Sequence, residues 1–327
     1  KRCLYVIMLN NIFLRRLYSC SRSYFTLFST RCKTINPYYL TGFADGEGCF
    51  NLSIFKDSRM LTGWQVKPIF KISLHNKDRE LLESIKRYLG VGKIYKHGKD
   101  SIEFRVSGLK NIRRVINHFE KYPLITKKVA DYILFKQAVE QVQNKKHLTK
   151  EGLLKLVEIK ASLNLGLSEK FKESFPDVIP VTKQLIESTE IKDINWLIGF
   201  TEAEGCFQVI VQEYNNKPTS ISLRFTVSQH SKDRKLMESI VNYLDCGRSY
   251  SASKCNEVYF ITSTFNEISE KIIPLFAKYP LLGCKQKDYL DWVKVAELIK
   301  SKDHLTETGL AKIKVIKSNM NSKREHI

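Results

Sequence analysis

Four segments of this chain occur twice, in the same order. LTGFADGEGCF at residues 40–50 returns as LIGFTEAEGCF at 197–207, and FKISLHNKDRELLESI at 70–85 returns as FTVSQHSKDRKLMESI at 225–240. KYPLITKKVADY at 121–132 returns as KYPLLGCKQKDY at 278–289, and HLTKEGL at 147–153 as HLTETGL at 304–310. The offset is 157 residues for three of the pairs and 155 for the second, so insertions are confined to loops. A period this long far exceeds a solenoid unit. It requires two similar half-proteins, most simply related by a pseudo-two-fold axis. The boundaries read as a first repeat over 38–164, a linker over 165–192 and a second repeat over 193–327. The linker holds Pro176 and Pro180 and has no counterpart inside a repeat.

Each half alternates between two periodicities. Residues 38–47 and 195–204 fit short helices. Residues 49–55 and 206–212 alternate as strands, with Phe50, Leu52, Ile54 and Phe207, Val209, Val211 on one face. Ile221, Leu223, Phe225 and Val227 mark a second strand with one apolar face. Residues 78–89 and 233–244 are amphipathic helices, each opening on an aspartate suited to the N-terminal dipole. Hairpins follow at 93–107 and 247–263. Each half therefore reads helix, two strands, helix, two strands, helix, helix. The expected fold class is α+β, with helices on one side of an antiparallel sheet.

Charge narrows the partners. Lys and Arg number 54 against 34 Asp and Glu, a net +20 that points to a polyanion, either nucleic acid or an anionic membrane surface. The most apolar early stretch, residues 4–14, is interrupted by Asn10 and Asn11 and is too short to span a bilayer, so no membrane partner is expected. Residues 1–44 hold seven Lys or Arg and no Asp or Glu, the profile of an organellar transit peptide. Residues 1–37 are accordingly expected to be a basic leader outside the fold. The eight cysteines show neither CxxC nor zinc-finger spacing and are read as reduced, mostly structural thiols.

The repeated motif itself has chemical content. Gly42 and Gly46 are four residues apart, as are Gly199 and Ala203, giving each helix a face of small residues along which two backbones can approach. Packed along that face, the helices would bring Glu47 and Glu204 out at adjacent ends. Two carboxylates held together repel unless cations lie between them. A pair of divalent ions roughly 3.5–4 Å apart is the arrangement that hydrolyses phosphodiesters, and the +20 charge makes a phosphodiester the natural substrate.

With both motifs, their spacing and the downstream repeats in view, the chain from Tyr38 onward resembles the LAGLIDADG homing endonucleases in their single-chain, two-motif form. The resemblance implies two pseudo-symmetric halves, each an antiparallel sheet saddle backed by helices. It places metal binding on Glu47 and Glu204, assisted by the backbone carbonyls of Gly46 and Ala203, with Mg²⁺ or another divalent cation as cofactor. Asp45 and Glu202 match the motif in a structural role. Lys128 and Lys285 match the family's active-site lysine, and Gln229 a water-positioning glutamine that the first half replaces with Leu74. The DNA-reading rows implied are Asn51, Ser53, Phe55, Lys67, Lys71 and Ser73 in the first half. In the second they are Gln208, Ile210, Gln212, Arg224, Thr226 and Ser228.

The implied activity is a staggered double-strand cut with 3′ overhangs, made by a monomer across the minor groove of a long duplex site. The leader and the resemblance together point to the mitochondrion. Two rival readings use the same scaffold: a maturase acting on its host intron RNA, and a non-catalytic DNA-binding protein. The presence of both glutamates favours cleavage over either rival. His75 and His230 recur in register, and a capping or packing role ahead of Asp78 and Asp233 is preferred to a general-base role.

Overall fold

The motif segment folds as a helix that runs without a loop into a strand. This computed structural model describes residues 34–184, 189–215, 217–252 and 256–324. Within the expected leader, residues 1–33 lie outside the described residues. Ile35, by contrast, is buried, and Asn36 caps α1 (Pro37–Glu47) by accepting from Tyr38 N at 2.8 Å. Pro37 takes the first helical position, where the missing N–H costs nothing. At the other end a Cβ on Gly48 would stand 2.6 Å from Ala44 O. Only glycine therefore lets the chain pass directly from Glu47 into β1 (Gly48–Lys56).

The first half continues through β2 (Trp64–His75), α2 (Arg79–Leu89), β3 (Lys93–Lys96), β4 (Ser101–Ser107), α3 (Leu109–Lys121), α4 (Lys128–Gln143) and α5 (Lys150–Ser162). The 165–192 segment carries α6 (Glu169–Ser174) and lays Phe171 and Phe175 against Trp64 near the distal end of β2. The second half repeats the order with α7 (Ile194–Glu204), β5 (Gly205–Tyr214), β6 (Lys217–His230), α8 (Arg234–Leu244), β7 (Arg248–Ser251) and β8 (Glu257–Thr262). It closes with α9 (Phe265–Glu267), a π-helical turn at Ile268–Ile272, α10 (Ile273–Lys278), α11 (Lys285–Lys300) and α12 (Glu307–Ser318). No helix among the described residues is long and apolar enough to cross a membrane.

Each half holds one four-stranded antiparallel sheet, in the orders β1-β2-β4-β3 and β5-β6-β8-β7. Strand alternation separates two faces. Phe50, Phe70, Ile72, Phe104 and Val106 of the first sheet and Phe207, Phe225, Val227 and Phe260 of the second point into one core shared by the halves, and Leu52 into a smaller cluster with Val66 and Leu156. Each fully buried phenylalanine contributes roughly 1.5–3 kcal/mol of transfer free energy. The α+β class, the two four-stranded sheets and the helical backing agree with the sequence reading.

The halves meet along α1 and α7, backbone against backbone. A Cβ added to Gly42 would lie 1.9 Å from Trp196 O, and one on Gly199 would lie 2.0 Å from Tyr39 O. The small-residue face inferred from the sequence is this contact. Both loops after the last helix of a half also return to its first strand. Asn164 Nδ2 donates to Phe50 O at 2.9 Å and Asn321 Nδ2 to Phe207 O at 3.1 Å, each asparagine in a left-handed conformation.

Candidate active site at the paired helix ends

Glu47 and Glu204 are the last residues of α1 and α7, and the close packing of those helices brings them together. A Cβ on Gly46 would be 2.3 Å from Ala203 Cβ and 3.2 Å from Glu204 Oε1, so nothing larger than glycine fits beside that carboxylate. Both carboxylates sit at the negative pole of their helices, an unfavourable place for an anion. Burial holds the Glu47 carboxyl above its ordinary range, while Lys128 and Lys285 pull it back. Glu204 is raised by burial and then by the charge of Glu47, again offset by the two lysines.

The lysines arrive from the first positions of α4 and α11. Lys128 Nζ donates to Ala44 O at 3.1 Å and to Gly46 O. Lys285 Nζ donates to Thr201 O at 3.0 Å and Ala203 O at 3.1 Å. A positive charge on otherwise unpaired C-terminal carbonyls stabilises the helix end. Both ammonium groups are lowered from the ordinary lysine value by desolvation, against the opposing charge of the surrounding carboxylates. Glu47, Glu204, Lys128, Lys285, Gly46 and Ala203 thus form one group.

Asp45 and Glu202 lie behind it and are buried. Asp45 accepts from Ile125 N and Thr126 N at 3.1 Å each, from Thr126 Oγ1 at 2.6 Å and from Trp196 Nε1 at 2.7 Å. Glu202 accepts from Leu282 N at 2.8 Å, Gly283 N at 2.9 Å and Tyr39 Oη at 2.7 Å. Each carboxylate therefore fastens the loop that delivers its half's lysine, and each takes one bond from the opposite motif helix. Burial raises both carboxyls, with these donors acting the other way.

His75 and His230 cap the turns that follow β2 and β6, accepting from Lys77 N at 3.2 Å and Lys232 N at 3.1 Å. Asp78 and Asp233 stand at the starts of their helices, as the sequence reading expects, but their side chains are used elsewhere. Neither makes a side-chain capping bond to its own helix. Asp78 Oδ1 accepts from Cys284 N at 2.6 Å and Asp233 Oδ1 from Lys127 N at 2.8 Å, each in the other half. Burial and the adjacent Asp78 charge push the Cys284 thiol up to about 12, so it stays protonated and donates to Asp78 Oδ2 at 3.2 Å. Gln229 sits two residues beyond Val227, which pairs with Gly205, at the same end of the sheet as Glu204. Its amide oxygen accepts from His230 N at 2.9 Å rather than from the glutamate–lysine group.

The rows Asn51, Ser53, Phe55, Lys67, Lys71, Ser73 and Gln208, Ile210, Gln212, Arg224, Thr226, Ser228 all fall on the face opposite the cores. The pairs Ser53–Lys67 and Gln208–Arg224 are directly opposite one another. The sequence rows stop at the first two strands of each sheet. β3 and β4 add Tyr95, Glu103 and Arg105 to the same face, and β7 and β8 add Arg248, Tyr250 and Tyr259. Glu103 is 1% exposed, although it stands on the polar face. Lys71 Nζ lies 3.3 Å from it, Arg105 Nε donates to it at 2.7 Å, and the Arg105 guanidinium also lies over the Tyr95 ring at 5.4 Å. Burial acts to raise its carboxyl, but Arg105 and Lys71 more than offset this and hold it below the ordinary value. The outward alternation of the 93–107 and 247–263 hairpins is the available signal for these residues.

Among the described residues no three His, Cys, Asp or Glu side chains gather as a metal cluster. The candidate donors at the helix ends are two carboxylates and nearby main-chain carbonyls, all hard oxygens. That donor set suits a divalent cation of the Mg²⁺ or Ca²⁺ type, completed by water or phosphate oxygen.

A family model described as LAGLIDADG endonuclease matches residues 40–139 and again 197–296. A Neurospora crassa protein named probable intron-encoded endonuclease 3 is 39% identical over 295 residues, covering 88% of this chain and 55% of that protein. The chain thus spans about half the length of that curated relative. The crystal structure of the I-SmaMI LAGLIDADG homing endonuclease bound to cleaved DNA superposes with a TM-score of 0.85 at 39% identity, covering 89% of this chain and 98% of that one. A second structure of that protein, bound to uncleaved DNA target in the presence of calcium ions, has a TM-score of 0.84 at 39% identity and covers 88% and 99%.

Proposed function

Since the chain belongs to the LAGLIDADG endonuclease family, with one copy of the family's unit in each half, we propose that it is a site-specific homing endonuclease. It makes a staggered double-strand cut in a long DNA target, acting as a monomer. The observation that carries this reading is the meeting of Glu47 and Glu204 at the ends of α1 and α7, with a lysine beside each. A surface that only bound DNA would gain nothing from two carboxylates facing phosphates, since each opposes the electrostatic attraction of the +20 chain.

Glu47 and Glu204, with the carbonyls of Gly46 and Ala203, would hold Mg²⁺. When bound, the cation supplies an activated water and stabilises charge on the departing oxygen. The rigid α1–α7 contact fixes the separation of the two carboxylates, so little reorganisation is needed as charge develops. Lys128 and Lys285 keep positive charge beside the position where each phosphate becomes more negative, and Gln229 orients water on the second side. The two outward sheet faces hold the duplex by its major groove, one half-site each. The mitochondrion is the compartment proposed, on the basic composition of residues 1–44.

The test is cleavage of a randomised duplex library with Mg²⁺, followed by sequencing of the cut ends. One long site with 3′ overhangs is expected. Glu47→Gln and Glu204→Gln should lose double-strand cleavage by about a hundred- to a thousandfold, on the order expected for a lost electrostatic stabiliser, while still binding that site. Undiminished cleavage in either variant would overturn the assignment. Retention of structured intron RNA with no duplex cleaved would transfer the reading to a maturase.

A further inference from the structure

We propose that each half positions the active-site lysine of the other half through one carboxylate at the base of its own DNA-facing sheet, so that the two strand cuts are coupled crosswise. Asp78 acts on Lys285, and Asp233 acts on Lys128. The inference rests on the reading of these lysines as parts of the cleaving group.

A short path runs from each sheet to the lysine loop of the opposite half. β2 belongs to the first half's outward face and ends at His75, whose side chain fixes the turn at Asn76–Asp78. Asp78 leaves its own helix without a side-chain cap and reaches Cys284, the residue before Lys285. On the other side β6 ends at His230, the turn Ser231–Asp233 follows, and Asp233 reaches Lys127, the residue before Lys128. α4 and α11 have N-caps, Lys127 and Cys284, that provide no capping bond of their own. An aspartate from the opposite half supplies the negative charge that the start of each helix favours.

This arrangement occurs twice, from equivalent positions of the repeat onto loops of different sequence, so it is a property of the architecture. The second copy is also closely fitted. A Cβ on Gly283 would meet Glu202 Oε1 at 2.6 Å and Asp78 Oδ1 at 2.8 Å. The loop bearing Lys285 is therefore held between its own half's Glu202 and the other half's Asp78. Seating of DNA on one sheet acts at the end of β2 or β6, one hydrogen bond away from the loop that carries the opposite lysine. Asp78 and Asp233 are positioning residues, since they act through Cys284 and Lys127.

The experiment uses the full chain and a supercoiled plasmid carrying the site recovered from the library. Cutting of each strand is followed separately by end labels. Lys128→Met and Lys285→Met first establish which strand each lysine serves. Asp78→Asn should then slow, on the order of tenfold, the same strand that Lys285→Met slows, and Asp233→Asn the strand that Lys128→Met slows. Asp78→Ser accompanies them, so that the result does not depend on one replacement, and thermal melting and DNA affinity are measured on every variant. A general loss of fold would slow both strands alike, whereas crossed positioning produces opposite nicking biases in the two aspartate variants. Equal slowing of both strands, or Asp78→Asn sharing the bias of Lys128→Met, overturns the proposal. If both lysine variants cut both strands at the wild-type rate, it is the lysine reading that fails, and the two failures are separated.

Discussion

Tyr39 donates its phenolic hydrogen to Glu202 across the boundary between the halves, at 2.7 Å. Trp196, which occupies the equivalent position in the second motif, donates its indole hydrogen to Asp45 at the same distance. Each motif helix thus satisfies a buried carboxylate of its partner. The close backbone contact at Gly42 and Gly199 is therefore accompanied by two polar bonds with strict directional requirements.

Removing either donor should destabilise the whole molecule rather than one half. Tyr39→Phe leaves Glu202 with its two backbone donors and one fewer bond, at a cost of about 1–3 kcal/mol for a buried group left short of a partner. Trp196→Phe should cost more, because a cavity is added. Chemical denaturation monitored by fluorescence and by circular dichroism should give a single transition shifted to lower denaturant. Two separated transitions would contradict this account.

Alanine at Gly42 or Gly199 is expected to be worse than either. The added methyl would lie about 2 Å from a carbonyl oxygen of the facing helix, so the helices must separate. A loss of more than about 3 kcal/mol, or failure to fold, follows from overpacking against backbone that cannot move aside. Soluble yield and melting temperature provide the measurement, and a variant within about 1 kcal/mol of wild type would mean that the helices sit further apart than described.

A pH effect on stability should arise from His118. Thr41 Oγ1 donates to Tyr122 O at 2.9 Å, so its contact with His118 Nε2 at 3.1 Å requires the ring nitrogen to donate. Nδ1 then accepts from Tyr88 Oη at 3.1 Å, and the ring is neutral with both nitrogens satisfied. Burial lowers its pKa from 6.5 to about 4. The unfolded chain binds this proton more readily, so the stabilising contribution is intact above pH 6.5 and is lost as pH falls towards 4, by roughly 3 kcal/mol. His118→Gln should flatten the stability profile over that window. An unchanged slope would show that the ring takes up its proton equally in the folded and unfolded states.

Much of this architecture was legible because the chain repeats itself. The duplicated motif, the small-residue face and the outward rows of the first two strands could all be read from periodicity and spacing. What could not be read were partners distant in sequence. Asp78 and Asp233 open amphipathic helices and look like ordinary N-terminal acids; nothing local indicates that they bond to Cys284 and Lys127 in the other half. Glu103 alternates onto a polar face and would be expected to be solvated, yet the side chains of Lys71, Ser73 and Arg105 enclose it. Phe171 and Phe175 lie in what reads as linker, and only the fold places Trp64 beside them.

Glu103→Gln should alter recognition more than stability. The neutral amide holds Arg105 and Lys71 less firmly, since a charge-assisted bond is roughly twice as strong as a neutral one. On the proposed DNA-reading role of this face, discrimination should fall by about tenfold, within the range of one lost paired base contact. Non-specific affinity should rise with the removal of a negative charge. Binding to a library of singly substituted targets tests both, and an unchanged specificity profile would remove Glu103 from the reading surface.

The two halves solve the same packing problem with different side-chain lengths. Asp45 is paired with Thr126, whose hydroxyl bonds to it, whereas the longer Glu202 is paired with Gly283, where a Cβ has no room. Asp45→Glu alone should therefore be destabilising, and adding Thr126→Gly should recover a substantial part of the loss. A double-mutant cycle on thermal stability measures the coupling; simple additivity would show that the two positions are independent.

Because the loop of one half closes on a carboxylate of the other, the exchangeable module in this molecule is not the half-chain. A chimera joining this first half to a second half from a relative inherits a lysine loop shaped for an aspartate it no longer meets. Recombination between such proteins would keep both lysine loops seated where the exchanged pieces carry the 281–285 loop together with Asp78, and the 124–128 loop together with Asp233. The unit of inheritance is then a pair of segments that lie far apart in the gene.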